Sequence, residues 1–224
     1  MDAAHNIAAN LAQIRALIAA AAASAGRDPA AITLIAVSKT HGKSAVAAAL
    51  ACGQIEFGEN RVQEAAEKFP LPGAVLRLIG PLQSNKVKEA VRVAQFIDTL
   101  DRAKLADAIA TAAHAAGAVP RMLVQVNIGD EPQKSGVAAA AADGFIRAMR
   151  ARFGAALQGL MCIPPNGVDP APYFLKLAAM ADVHGLAVRS MGMSGDFASA
   201  IACGATHVRV GTAIFGSRAQ GEVT

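Results

Sequence analysis

What most constrains this chain is a repeated alternation: short apolar runs separated by stretches of helical periodicity, from one end to the other. The runs near residues 32–38, 54–58, 75–79, 95–99, 121–128, 157–163, 186–191 and 207–211 read as strands. The segments near 43–52, 61–68, 84–93, 102–116, 137–152, 172–183 and 195–203 read as helices. Gly53, Gly117 and Gly204 supply stop signals, and Asp101 stands where a helix cap is expected. Strands that are apolar throughout and alternate with helices indicate a parallel sheet covered by helices. Eight strands in 224 residues then predict an α/β fold of one domain spanning residues 1–224, a closed (β/α)8 TIM barrel with short loops. An extra N-terminal helix, with Ile7, Leu11, Ile14, Leu17 and Ile18 on one face, stands in for the missing eighth helix. An open doubly wound sheet is the alternative, but no GxGxxG opens the first helix after a strand.

Composition narrows the setting. Hydrophobic residues make up 54% of the chain and the mean hydropathy is +0.36, but much of this is alanine. The run Ala16–Ala23 is far shorter than the roughly 20 residues of a membrane-spanning helix. The start, MDAAHNIAAN, has an acidic residue where a secretory signal has basic ones. No membrane association and a cytoplasmic location are therefore expected. The net charge of +4 is spread along the chain, which suits a small anionic ligand and gives no sign of nucleic-acid binding. Cys52, Cys162 and Cys203 lack metal-ligand spacing and read as packing residues, so no metal site is expected.

The chemistry lies at the strand ends. MGMSGD (Met191 to Asp196) and RVGTAIFG (Arg209 to Gly216) finish the last two strands with small, hydroxylated residues of the kind that cradle phosphate. A barrel of this type places such a site between the loops after strands seven and eight. Ser194 also reads as a plain helix cap, and the glycines as turn residues. ITLIAVSKT (Ile32 to Thr40) ends the first strand on Lys39, at the same rim. A lysine facing a phosphate cradle suggests a phosphorylated aldehyde held as a Schiff base. Arg209 alternates with Val208 and Val210; if those valines face the helices, it points into the barrel. Lys134, after strand five, reads as a loop charge.

Together AVSKT, FGEN (Phe57 to Asn60), IGPLQSNK (Ile79 to Lys86), KSG (Lys134 to Gly136), GLMCIP (Gly159 to Pro164), MGMSGD and VRVGTAIFG resemble the pyridoxal phosphate homeostasis protein family. These are the single-domain relatives of the alanine racemase N-terminal barrel. The likeness runs from about the first helix to Arg218. It implies pyridoxal 5′-phosphate (PLP) as cofactor, carried by Lys39. It further implies that Ser194, Gly211 and Thr212 hold the phosphate, with Met193 beside them. Arg209 would face the pyridine nitrogen, and Asn60 would lie close to the cofactor. Two departures stand out: Leu76–Arg77 replaces a frequent Trp-His pair, and His41–Gly42 follows SKT where many members have Lys-Pro.

The resemblance implies a monomeric carrier in the homeostasis of PLP and of amino and keto acids, without efficient turnover and with no catalytic residue assigned. PLP-dependent apoenzymes are its implied partners. A racemase-like PLP enzyme is the alternative. Related racemases use a tyrosine supplied through a second β domain, for which this chain leaves no residues. Its one tyrosine, Tyr173, reads as a helix-start packing residue. Arg209, a donor only, is also a poor proton source for the ring. A lysine-dependent aldolase is a third option, but no acid–base partner stands out around strand one.

Overall fold

The computed structural model describes residues 3–216, with side chains from Asn6 onward; Arg218, where the resemblance ends, lies outside the described residues. After helix α1 (Ala3–Ser24), eight strands run parallel: β1 (Thr33–Val37), β2 (Glu56–Glu59), β3 (Val75–Leu78), β4 (Phe96–Leu100), β5 (Arg121–Asn127), β6 (Leu157–Cys162), β7 (Val188–Ser190) and β8 (His207–Val210). Each pairs with the next, and β8 returns to β1, so the sheet closes into a barrel. The expected (β/α)8 architecture is the one found. A two-residue strand, Val137–Ala138, extends the sheet beside the end of β5.

The outer helices are α2 (Lys43–Ala51), α3 (Val62–Lys68), α4 (Val87–Val93), α5 (Ala103–Ala116), α6 (Ala139–Phe153), α7 (Ala171–Val183), α8 (Phe197–Ala202) and α9 (Thr212–Phe215). The last is too short to cover β8. The N-terminal helix fills that gap, packing against α2, α8 and α9. Ile7, Leu11, Ile14 and Ile18 are buried there, whereas Leu17 turns outward at 47% exposure. The membrane reading needs one correction. Over Asn6–Ser24, α1 is long and apolar enough to cross a bilayer, at a mean hydropathy of 1.4; its isoleucine-rich face lies on the barrel.

Two elements differ locally from the expectation. The second strand begins at Glu56, and before it the Gln54 side-chain amide donates to Leu34 O at 2.7 Å and to Glu56 O at 2.8 Å. Asp101 does not cap α5; its carboxylate accepts from the Arg102 guanidinium.

The barrel has two interiors. The layer between strands and helices is mostly apolar, and Val208 and Val210 belong to it; the buried Glu59 and Lys68 are an exception. The space enclosed by the strands is different. Alongside Ile35, Phe96, Leu123 and Met161, it holds buried Arg77, Asp98, Gln125, Ser190 and Arg209. Arg77 is fully buried, bound in a fork to Asp98 at 2.9 and 3.0 Å and to Glu56 at 2.9 Å. Its guanidinium also stacks 3.8 Å above the Phe96 ring. Of the Leu76–Arg77 departure, Arg77 therefore lies inside the barrel with its own counter-ions, while Leu76 belongs to the outer apolar layer.

These charges act on His207 at the start of β8. Burial, then repulsion from Arg77 and Arg209, pushes its imidazole down to about 3. It stays neutral in the fold while the unfolded chain takes up a proton below its ordinary value near 6.5. This stabilising contribution is complete above about pH 6.5 and is lost as pH falls from there toward the folded value. The unfolding free energy should drop by up to about 1.4 kcal/mol per pH unit from this one group. In denaturant titrations between pH 6.5 and 5, His207→Gln should flatten that slope by a comparable amount.

Candidate functional site

Because every barrel strand runs the same way, the C-terminal ends of all eight meet at one rim. A cavity of about 760 Å³ opens there. All seven residues singled out from sequence, Lys39, Asn60, Met193, Ser194, Arg209, Gly211 and Thr212, line it. They come from the ends of β1, β2, β7 and β8.

The register of β8 on β1 sets the geometry. Ala36 pairs with Val210, which brings the following residues, Val37 and Gly211, side by side. A Cβ on Gly211 would lie 3.0 Å from the Val37 carbonyl oxygen and 3.2 Å from the Val37 Cβ, so a side chain there would fit only if Val37 gave way by a few tenths of an ångström. The first residue of α9, Thr212, thus sits next to the loop that carries Lys39. At the start of this helix the amides of Thr212 and Ala213 have no protein acceptor among the described residues, as expected of a first helical turn. The same holds for the amides of Ser194 and Gly195 in the neighbouring turn. Ser194 and Thr212, each with a hydroxyl, both line the cavity at turns whose amides lack acceptors among the described residues.

The cap expected at Ser194 lies elsewhere. Helix α8 begins at Phe197 with Asp196 at its N-cap position, and the Asp196 carboxylate accepts the Met193 amide. Ser194 is left exposed at the cavity wall, its hydroxyl without a partner among the described residues.

Lys39 projects from just past β1 and its amine has no hydrogen-bond or ion-pair partner among the described residues. Arg209 forms part of the cavity floor. It is buried and points into the barrel, donating to Ser190 Oγ at 2.8 Å and to the Cys162 carbonyl at 2.9 Å. Burial draws its guanidinium below the ordinary arginine value, but Asp98 nearby opposes this and it stays a cation. Asn60 is placed by Gly80, where a Cβ would lie 2.4 Å from the Asn60 carbonyl oxygen. Burial pushes the Cys162 thiol up to about 12, which makes it inert as a nucleophile.

Gln125 is not singled out from the sequence, whereas Lys134, after strand five at the same rim, and His41, after SKT, are noted there. Gln125 on β5 lines the wall opposite Lys39 and donates to the Ser135 carbonyl at 3.2 Å. Lys134 is no solvated loop charge: it is half-buried in the same wall, donating to Pro164 O at 3.0 Å and paired with Glu131. Its loop is folded over the Asn127 amide, which spans the carbonyls of Glu131 and Lys134. The His41 ring lines the mouth and stacks on Phe215, with centroids 5.2 Å apart. Burial, then the charge of Lys68, pushes its imidazole down, although Glu64 opposes this. Tyr173 lies away from the cavity, packed on the apolar layer near the start of α7.

The profile of the family described as alanine racemase, N-terminal domain, matches residues 5–219. The chain belongs to that family. Within it, a protein of Escherichia coli strain K12 named pyridoxal phosphate homeostasis protein is 41% identical over 228 residues, spanning 96% of this chain and 97% of its own. The structure of PipY from Synechococcus elongatus PCC7942, with PLP bound, is 34% identical with a TM-score of 0.79. It covers 94% of this chain and 100% of its own. Alanine racemase from Streptomyces lavendulae has the same barrel, with a TM-score of 0.70 at 21% identity. This chain spans 97% of its own length and 60% of the racemase. For this family member, the barrel is thus the shared frame.

Proposed function

We propose that this chain binds PLP as a Schiff base on Lys39 and acts as a cytoplasmic, monomeric carrier in the homeostasis of PLP and of amino and keto acids. PLP-dependent apoenzymes are the recipients in this reading. The observation that carries it is the meeting, in one cavity, of a lysine amine and a cradle of amides and hydroxyls that have no partners among the described residues. The residues fit the group chemically. A phosphate takes the amides beside Ser194 and Thr212, an aldehyde takes the Lys39 amine, and a ring nitrogen takes the Arg209 guanidinium as an acceptor. PLP when bound supplies a reactive aldehyde and an electron-accepting ring. The residues of the chain bind it by its phosphate, orient its ring over the barrel floor, and present the amine. The naming of the E. coli relative and the PLP in PipY support the same reading.

Efficient turnover has little support from the site. Arg209 is a donor whose guanidinium is already engaged by Ser190 and Cys162, so it supplies no proton that strengthens the ring as an electron sink. Tyr173, the counterpart sought for a two-base racemase, is outside the cavity.

Two outcomes test the proposal. Ser194→Ala combined with Thr212→Ala should weaken PLP binding by roughly ten- to over a hundred-fold, the scale of a lost hydrogen bond to a charged group. Pyridoxal, which lacks the phosphate, should lose far less; equal losses in parallel titrations would put the cradle elsewhere. Incubation of the loaded protein with single-enantiomer amino acids should give no sustained racemisation above that of free PLP. Multiple turnover abolished by Lys39→Ala would favour the racemase-like enzyme.

A further inference from the structure

Beneath the Lys39 loop lies a buried ion cluster that the binding of PLP does not use directly. Lys68, the last residue of α3, is 5% exposed. Its ammonium donates to the Ser38 carbonyl at 2.8 Å, to Glu59 Oε1 at 2.8 Å and to Glu64 Oε1 at 2.7 Å. All three of its protons are thereby engaged. Glu59 Oε1 also accepts the Ser38 hydroxyl at 2.6 Å, and Glu64 Oε1 accepts the Thr40 amide. Both neighbours of Lys39 are thus tied to one cluster, Ser38 through its carbonyl and hydroxyl and Thr40 through its amide.

Such a cluster is a poor device for stability alone. Burial draws the Glu59 carboxyl up against the hydrogen bonds from Lys68 and Ser38, and an apolar side chain in place of Lys68 would avoid that cost. Thr40 gives a second reason to look for another role. It has φ +68, a left-handed conformation that a β-branched residue adopts only when its surroundings hold it there. The Glu64 contact to its amide is one such restraint. What the cluster does, and a hydrophobic patch would not, is fix the two peptide groups on either side of Lys39.

We propose that Lys68 is a positioning residue for Lys39: through Glu59, Glu64 and the Ser38 carbonyl it aims the Lys39 amine at an aldehyde held by the phosphate cradle. The inference rests on the PLP reading above. In the step concerned, the neutral Lys39 amine adds to the aldehyde carbon and a C=N bond forms. The carbonyl oxygen leaves as water, taking both amine hydrogens. Misdirection of the amine slows this step without loosening the grip on phosphate.

The test separates the two. In the full chain freed of ligand, 4-deoxypyridoxine 5′-phosphate, which has no aldehyde, reads the cradle alone. The first-order rate of spectral change at saturating PLP reads the condensation. Lys68→Met should leave the affinity for the deoxy ligand within about twofold and slow condensation by about ten- to a hundred-fold, the scale set by misplacing a reacting group. Glu64 is more exposed, so its variants guard against a Lys68 variant that fails to fold. Glu64→Ala, which removes the acceptor for the Thr40 amide, should slow the step, and Glu64→Gln, which keeps an acceptor oxygen, should retain most of the rate. Wild-type condensation rates in Lys68→Met or Glu64→Ala, or losses of rate and deoxy-ligand affinity in equal proportion, would overturn the positioning role. Failure of the wild-type chain to condense at Lys39 would instead overturn the PLP reading.

Discussion

The pairing of β8 with β1 is the constraint on which the site depends. A parallel barrel must bring its last strand back to its first, and here the register sets Val210 against Ala36. Gly211 then lies against Val37, with little space for a side chain between them. Two residues further along one strand is Lys39; one residue further along the other is Thr212. Residues more than 170 positions apart in the chain become neighbours through one set of backbone hydrogen bonds. The remaining strands, all pointing the same way, deliver Asn60, Met193 and Ser194 to the same rim.

The barrel interior gives that rim its electrostatic character. Apolar packing is concentrated outside the strands, while the enclosed space carries Arg77, Asp98 and Arg209. Buried charges are costly unless paired, and the fork between Arg77 and Asp98, with Glu56 beside it, meets that condition. Arg209, one layer nearer the mouth, is bound to neutral partners and keeps a positive charge under the cavity. A cationic floor, a lysine and free amides together favour an anionic ligand with an acceptor atom in its ring. The same charges keep His207 neutral, so the residues that shape the site also shape the acid sensitivity of the fold.

Much of this was legible in the sequence because the relevant signals are local. Apolar runs ending in small or functional residues mark strand ends, and the alternation in Arg209's strand made its inward direction conditional on Val208 and Val210 facing the helices, as they do. The elements that sequence reading missed depend on partners far along the chain. Lys68 reads as an ordinary basic residue in the last turn of a helix, and only folding brings it under Ser38 and between two glutamates. Lys134 looked solvated because the carbonyl that receives it, Pro164 O, belongs to another loop. Ser194 looked like a cap, but α8 begins at Phe197 with Asp196 at its N-cap position, and the Asp196 carboxylate accepts the Met193 amide. Arg77 stood out as a departure from the family pattern, but its counter-ions lie on the flanking strands.

The central claim is that Lys39, and no other lysine, forms the covalent link to PLP at this rim. Borohydride reduction of the PLP-loaded chain, followed by peptide mass mapping, tests it most directly. A pyridoxyl group on the peptide containing Lys39, with loss of the reducible absorbance in Lys39→Ala, is the predicted result. A pyridoxyl group on Lys134 or Lys86 in its place, or no covalent adduct at all, would contradict the account.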